Sequence, residues 1–112
     1  STEESSAVVR ARVEKARKLQ QERFAGEPFH CHARIPAGKL QHYCPLSGEA
    51  LEFLRRSFES LGMTARAYDR VVKVARTIAD LAGEETIGRT QIAEALAYRT
   101  LDQKYWYENR NC

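Results

Sequence analysis

The sequence predicts an all-α protein, a small helical bundle with a long N-terminal helix and an irregular connecting loop. Apolar residues recur with the period of a helix in four stretches, and glycine and proline separate these stretches. No segment alternates between apolar and polar residues as a half-buried strand does. The chain of 112 residues suits a single domain, residues 1–112, with one core.

Composition excludes several classes of protein. With 43% hydrophobic and 29% charged residues of both signs, the chain has the composition of a globular domain rather than of a disordered one. Its apolar runs are far shorter than the roughly 20 residues that cross a bilayer, and its first residues do not resemble a signal peptide. Three unevenly spaced cysteines do not make a secreted disulfide framework. We therefore expect a cytoplasmic protein without a membrane partner.

The first predicted helix covers residues 6–25 and connects rather than fills the core. Gly26 and Pro28 end it. Its apolar stripe is thin and consists of Val9, Val13, Ala16 and Phe24. A helix this polar is expected to lie on the surface or to join two parts of a protein.

Residues 26–46 read as an irregular loop. The segment holds all three prolines, all three histidines and two of the cysteines. One short helix near Lys39 to Tyr43 is the only regular element that we expect in it.

Three further helices follow over residues 47–102. Ser47 caps the first, which presents Ala50, Leu51, Leu54, Phe58 and Leu61 on one face before Gly62 ends it. Thr64 caps the longest helix, whose broad apolar arc makes it the central one. The last helix runs from the Gly88 turn to about Asp102, and residues 103–112 form a tail without a pattern.

The loop carries five residues that are common metal ligands: His30, Cys31, His32, His42 and Cys44. Structural zinc usually takes paired ligands two to four residues apart, whereas three of these are adjacent. We assign no metal ligand, although a loop-bound metal stays open as the alternative. We expect solvated histidines and a small apolar anchor formed by Tyr43, Cys44 and Leu46, because a free cysteine behaves as a buried hydrophobe.

The net charge of +3 is too small to indicate a nucleic-acid partner by itself, but the first helix has a local excess of bases. Candidates for contacting a nucleic-acid backbone are Arg10, Arg12, Arg17 and Lys18. Because the bases surround the helix, a solvated face is the simpler interpretation. Any such binding would depend on charge and salt rather than on base identity.

The start of the longest helix holds the sharpest candidate. Arg66 lies in the first turn, where the helix dipole favours acids. Free N–H groups at a helix start and a guanidinium together suit a phosphate. From the residues alone, an ordinary surface arginine is the simpler interpretation.

Most of the chain resembles the C-terminal domain of magnesium-chelatase-like AAA+ ATPases, the ComM or YifB group. The resemblance rests on the runs GMTARAYDRVVKVARTIADL at 62–81, QIAEALAYRTLD at 91–102, ESSAVVRARVEKARKLQQER at 4–23 and LQHYCPLSGEALEFL at 40–54. It implies a lid-type bundle. It also places Cys44 on the family's Tyr-Cys pattern, which favours packing over zinc binding.

The same resemblance implies a sensor-2 motif, in which Arg66 acts catalytically on the terminal phosphate of ATP. Thr64, Ala65, Ala67 and Arg70 accompany it as expected nucleotide-binding residues. ATP and Mg²⁺ would then be cofactors of a longer parent, because this chain has no GxxxxGK[ST] phosphate loop and is not a complete enzyme. The expected partners are an upstream AAA+ core of the same polypeptide and further copies in a homo-oligomeric ring, expected to be a hexamer.

The substrate of the parent is a separate question. The resemblance to the ComM group implies branch migration of DNA, whereas true chelatases insert magnesium into porphyrin. We expect the DNA role, since the basic first helix is compatible with it. The alternative is a stand-alone helical module that binds protein or nucleic acid.

Overall fold

The computed structural model describes residues 5–98 and contains α-helices without a named strand over that range. The helices are α1 (Ser6–Arg23), α2 (Leu40–Tyr43), α3 (Gly48–Leu61), α4 (Ala65–Leu81) and α5 (Arg89–Ala97), and short 3₁₀ turns cover His32–Arg34 and Ala37–Lys39. The predicted all-α class is confirmed. The predicted tail, residues 103–112, lies outside the described residues.

Helix α1 begins where the Ser5 hydroxyl accepts a hydrogen bond from the N–H of Val8. It ends at Arg23, two residues before the predicted boundary, because the chain turns at Phe24 ahead of Gly26, whose φ is +86°. No residue of the helix is buried, and Val9 and Val13 are exposed. The predicted surface position of this helix is confirmed, and its connecting role stays a prediction.

The loop between α1 and α3 is more regular than predicted. The expected short helix is present as α2, and the two 3₁₀ turns precede it. Three rings hold the loop against the end of α1: Phe24 packs edge-to-face on Phe29 and on Tyr43, with centroids 5.1 and 5.0 Å apart. This aromatic group makes the loop part of the core.

Helices α3 and α4 are joined by a tight turn of three residues. Gly62 adopts the left-handed conformation that ends α3, with φ +60°, and the N–H of Met63 donates to the carbonyl of Phe58. The hydroxyl of Thr64 then accepts the N–H of Ala67 and starts α4. All three boundary residues, Ser47, Gly62 and Thr64, have the predicted roles.

Helix α4 is the central helix, as predicted. It packs against α1, against the His32–Arg34 turn and against α5. It buries Val71, Val72, Ala75 and Ala79. On α3, Ala50 and Leu54 are buried, but Leu51 and Leu61 of the predicted apolar face are exposed. The apolar face of α3 is therefore wider than the part of it that the bundle buries.

Helix α5 packs on α3 and α4 and ends at Ala97, with Tyr98 as its C-cap. The predicted end near Asp102 is therefore too late, because the N–H of Tyr98 already bonds three residues back to Ala95. A parallel bridge between Leu46 and Ile87 ties the start of α3 to the turn before α5. Within residues 5–98, no helix has both the length and the apolar composition that a membrane crossing requires.

Candidate functional site

The start of α4 presents backbone donors to solvent. Thr64 is extended, with φ −82° and ψ 164°, and its hydroxyl satisfies the N–H of Ala67 at 3.1 Å. The N–H groups of Ala65 and Arg66 precede the first intrahelical hydrogen bond and have no partner in the helix. No acidic residue occupies this first turn. As far as residues 5–98 show, this helix start can receive an anion.

Arg66 is exposed, and Arg70 one turn later is half-buried. Residues four apart lie on the same side of a helix, so the two guanidinium groups are neighbours. Within residues 5–98, neither forms a hydrogen bond or an ion pair. The nearest acid along the helix, Asp69, bonds instead to Lys73 at 2.7 Å. Arg66 and Arg70 thus place two positive charges on one side of α4, and within residues 5–98 neither is paired with a carboxylate.

This arrangement can attract an anion but cannot by itself break a bond. Its cations and N–H groups can bind phosphate oxygens and stabilise charge that develops on them. The five predicted residues Thr64, Ala65, Arg66, Ala67 and Arg70 lie together in the first two turns of α4. Their assignment to ATP remains a prediction.

The predicted nucleic-acid residues of α1 are all exposed: Arg10, Arg12, Arg17 and Lys18. The helix contacts α4 through Arg23, which reaches Asp80 near the end of α4. Arg66 lies at the opposite end of the same helix. Within residues 5–98, none of these four side chains forms a hydrogen bond or an ion pair with Arg66 or Arg70, and the nucleic-acid assignment also remains a prediction.

A buried ionic cluster, formed by Arg23, His32, Arg76 and Asp80, lies at the far end of α4. Arg23 donates to both carboxylate oxygens of Asp80, at 2.6 and 2.8 Å. Arg76 approaches the same carboxylate through Nε at 3.1 Å and through Nη2 at 3.0 Å. The side chains of Arg76 and Asp80 are only 1% and 2% exposed, against 18% for Arg23. One carboxylate thus holds two arginines.

Arg76 also connects the cluster to the turn that follows α4. Its Nη1 and Nη2 donate to the carbonyls of Glu85 and Glu84 at 2.8 and 2.7 Å. These carbonyls lie in the turn beyond the end of the helix, so the guanidinium holds that turn against α4. The cluster therefore fixes three segments at once: the end of α1, the end of α4 and the turn before α5.

His32 completes the cluster. Its Nε2 lies 3.0 Å from Nη1 of Arg23 and 3.3 Å from Oδ2 of Asp80, and its Nδ1 lies 2.7 Å from the hydroxyl of Thr77. Burial lowers the pKa of His32 below 6.5, although the neighbouring Asp80 carboxylate opposes this. For Asp80, burial alone would raise the pKa, but the hydrogen bonds from His32 and Arg23 and the charge of Arg76 hold it well below its usual range.

The expectation of solvated histidines is wrong for His32 and correct for His30 and His42, which are exposed. His32 is buried because its 3₁₀ turn packs on α4. Cys44 is a buried free thiol in the core, with Tyr43 and Leu46 packed against it, so the predicted anchor is confirmed. Burial raises the pKa of Cys44 to about 11. Across residues 5–98, no group of three or more His, Cys, Asp or Glu side chains is arranged to hold a metal ion.

Sequence reasoning missed the ionic cluster, although one signal was present. Arg76 and Asp80 are four residues apart on the face of α4 that also carries Val72, Ala75 and Ala79. An opposite-charge pair within an apolar face indicates a buried ion pair. The other two members could not be found this way, because Arg23 is 57 residues from Asp80 in the chain.

An open apolar groove of about 410 Å³ lies between the loop, α3 and α4. Leu51 and Tyr68 form part of its walls, and the buried Cys44 contributes to its lining. The groove explains part of the exposure of Leu51.

Comparisons with known proteins agree with the resemblance in the sequence. The profile of the family described as "Magnesium chelatase, subunit ChlI C-terminal" matches residues 3–99. The chain is similar to the competence protein ComM of Haemophilus influenzae, with 42% identity over 98 residues, which are 88% of this chain and 18% of ComM. It is also similar to the uncharacterized protein YifB of Salmonella typhimurium, with 37% identity over 100 residues, 89% of this chain and 19% of YifB. The chain thus spans about a fifth of the length of these relatives.

Proposed function

This chain belongs to the family of magnesium-chelatase subunit ChlI C-terminal domains, and on that premise we propose that it is the lid of an AAA+ ATPase whose Arg66 contacts the terminal phosphate of ATP. The nucleotide-binding core is the upstream part of the same polypeptide. The lid completes the ATP site and moves when the phosphate is released.

The observation that carries the proposal is the state of Arg66. Of the arginines on α4, Arg76 is buried and paired, whereas Arg66 and Arg70 have no partner within residues 5–98. An arginine in the first turn faces the positive end of the helix dipole, which costs a few tenths of a kcal/mol when the residue is exposed. An anion supplied by another domain would remove that cost and would use the free N–H groups of Ala65 and Arg66 as well.

The chemistry follows from the position of the charge. During phosphoryl transfer, negative charge spreads over the oxygens of the transferred group. A guanidinium fixed by a capped helix stabilises that charge without having to reorganise. After hydrolysis the terminal phosphate leaves, and the arginine loses its partner. The loss of that contact is the signal that would let the lid report hydrolysis to its neighbours in a ring.

The test is ATP turnover by the full-length protein with Arg66→Ala. Turnover is expected to fall tenfold or more, which corresponds to at least about 1.4 kcal/mol in the barrier. The fold should be unchanged, because the side chain is exposed. Arg56→Ala is the matched control, since Arg56 is also exposed and pairs only with Glu52 on its own helix.

Wild-type turnover with Arg66→Ala would refute the assignment. Arg66→Lys separates the roles of charge and shape. It keeps the positive charge but loses the planar guanidinium, so an intermediate rate is expected if two phosphate oxygens are bound together.

We further propose that the parent machine acts on DNA and that α1 contributes to the contact. The H. influenzae relative is named a competence protein, and Arg10, Arg12, Arg17 and Lys18 of α1 are exposed to solvent. Contacts of this kind neutralise phosphates and release counterions, so affinity falls steeply with salt.

The DNA proposal is tested by fluorescence anisotropy with a labelled duplex over a range of salt concentrations. Replacing both Arg17 and Lys18 by Gln should weaken binding and reduce the slope of log K against log salt by about 0.9 for each lost phosphate contact. An unchanged affinity and slope would remove α1 from the DNA contact, while leaving the ATP proposal in place.

A second candidate function is a helical interaction module that does not depend on ATP. The open groove beside Leu51 is the observation that favours it. The sequence upstream of Ser1 distinguishes the two candidates. A GxxxxGK[ST] loop there supports the ATPase lid, and a full-length protein without one supports the interaction module.

A further inference from the structure

The ionic cluster joins α1 to α4, two helices with different expected functions. Helix α1 is the segment that follows the ATPase core under the proposed function, and α4 is the helix that carries Arg66. The bond between them is the bidentate pair of Arg23 and Asp80, at 2.6 and 2.8 Å. We propose that Arg23, through Asp80, is a positioning residue that fixes α4 relative to α1 and so sets where Arg66 points. This inference rests on the proposed function.

The geometry of the pair suits this role. A bidentate contact between a guanidinium and a carboxylate fixes orientation as well as distance, since both groups are planar. Asp80 itself cannot turn, because Arg76 holds one of its oxygens and also bonds to the carbonyls of Glu84 and Glu85. The Asp80 carboxylate thus has a fixed orientation within the bundle, and Arg23 is the residue of α1 that binds it.

The rest of the contact anchors α1 without fixing its direction as firmly. Phe24 is buried among Phe29 and Tyr43, but ring contacts permit some rotation. Gln20 donates to the carbonyl of His30 at 2.9 Å, and that bond is exposed. Each side chain in the first half of α1, residues 6–14, is exposed, whereas Ala16, Leu19 and Gln20 in its second half are half-buried. The direction of α1 is therefore set by its second half, where the cluster lies.

Because α4 is long, a small tilt at Asp80 gives a large displacement at Arg66. Arg66 and Asp80 are 14 residues apart, which is about 21 Å along a helix axis, so a tilt of about 10° at Asp80 displaces Arg66 by about 4 Å. A misplacement of only about 1 Å at a reacting group can reduce a rate by about 100-fold. Loss of the Arg23 contact should therefore reduce turnover even though Arg23 is at the far end of the helix from the nucleotide.

The key variant is Arg23→Gln in the full-length protein. It removes the guanidinium that α1 contributes to the ionic cluster but leaves Asp80 paired with Arg76. The attachment of α4 to the turn before α5 therefore remains. The matched control is Arg56→Gln, which removes an exposed arginine from an ion pair within α3. Arg23→Lys keeps the charge and one hydrogen bond, and serves as the conservative rescue.

The direct readout is the distance between α1 and α5. Spin labels on genetically encoded ketone residues at the exposed positions Ala11 and Ala93 avoid the native cysteines. Measured by pulsed electron resonance with excess unlabelled protein, wild type and Arg56→Gln should each give one narrow distance distribution. Arg23→Gln should broaden it, and Arg23→Lys should narrow it again. A narrow, unshifted distribution in Arg23→Gln overturns the inference.

The second readout is ATP turnover by the same proteins. We expect Arg23→Gln to reduce kcat at least tenfold with a smaller change in KM, because most ATP contacts belong to the core and only the transition state depends on placing Arg66. Arg23→Lys should recover part of the loss. If Arg66→Ala lowers turnover but Arg23→Gln broadens the distances and leaves turnover normal, positioning by Arg23 is refuted.

The two proposals fail in different ways. Normal turnover in Arg66→Ala refutes the proposed function, while the spin-label distances still decide whether Arg23 holds α1 against α4. If Arg23→Gln does not fold, as judged by its helical circular dichroism, the comparison of Arg23→Lys with wild type takes its place. A wild-type kcat together with a broadened distribution in Arg23→Lys would then overturn the inference.

Discussion

The two ends of α4 use the same residue type for opposite purposes. At the far end, Arg76 is 1% exposed, shares a carboxylate with Arg23 and bonds to two backbone carbonyls. At the start, Arg66 is exposed and has no partner within residues 5–98. A satisfied buried charge contributes to the native structure, whereas an unsatisfied exposed charge is available to a ligand. The difference indicates that the end of α4 near Asp80 contributes to stability, while under the proposed function the start of α4 contacts the nucleotide.

The largest expected effect is a loss of stability when the ionic cluster is broken. Asp80→Ala leaves Arg23 and Arg76 without their shared carboxylate and should lower the free energy of unfolding by about 3–5 kcal/mol, the usual cost of removing one partner from a buried ion pair. Arg66→Ala should change it by less than about 0.5 kcal/mol. Urea denaturation of the 112-residue chain measures both. Equal losses of unfolding free energy in Asp80→Ala and Arg66→Ala would contradict the claim that the end of α4 near Asp80 contributes more to stability than its start does.

Acid should weaken the stable end by protonating the unfolded chain. The pKa values of His32 and Asp80 are both lowered in the folded protein, so the unfolded chain binds more protons as the pH falls. The stabilisation is complete above about 6.5, the ordinary pKa of histidine. Below that value, loss of the His32 contribution should cost up to about 1.4 kcal/mol per pH unit, and Asp80 adds to the loss below about 4.

Denaturation midpoints at pH 7 and pH 5 measure the histidine contribution. His32→Asn should be less stable at pH 7 but nearly independent of pH over this interval. His30→Asn removes an exposed histidine and should follow the wild type. If His32→Asn keeps the full dependence on pH, the buried ring is not its source.

The smallest expected effect concerns the N-terminal cap of α4. Thr64→Ala removes the hydroxyl that accepts the N–H of Ala67 and should cost about 1 kcal/mol of stability. Thr64→Ser keeps the hydroxyl and should be close to wild type. Equal stability of Thr64→Ala and wild type, measured by the same denaturation, would mean that the cap does not hold the start of α4.

Features that depend on neighbouring residues were predictable from the sequence. The caps at Ser47 and Thr64, the Gly62 terminator and the central place of α4 follow from local hydrogen bonds and apolar period. The end of α5 was placed too late because no glycine or proline follows Tyr98 in the sequence to mark a helix end, whereas the backbone bonding already changes at Tyr98. Helix ends are fixed by such local bonds rather than by the pattern of apolar residues.

The ionic cluster was not predictable as a whole. The i,i+4 pair of Arg76 and Asp80 is visible in the sequence, but Arg23 and His32 reach it only because the loop returns the end of α1 to α4. Burial of His32 follows from that path rather than from its neighbours in the chain. For the candidate site the reverse holds: its residues all lie between Thr64 and Arg70, so the sequence could identify them, but their assignment to ATP stays a proposal.

The most direct measurement of the central claim compares the binding of two nucleotides to full-length protein with and without Arg66. A non-hydrolysable ATP analogue has a γ-phosphate and ADP lacks it, so a contact with the γ-phosphate affects only the analogue. Isothermal titration should show Arg66→Ala weakening the analogue about tenfold, or about 1.4 kcal/mol, with ADP unchanged. Unchanged binding of both nucleotides, or equal weakening of both, would contradict the account.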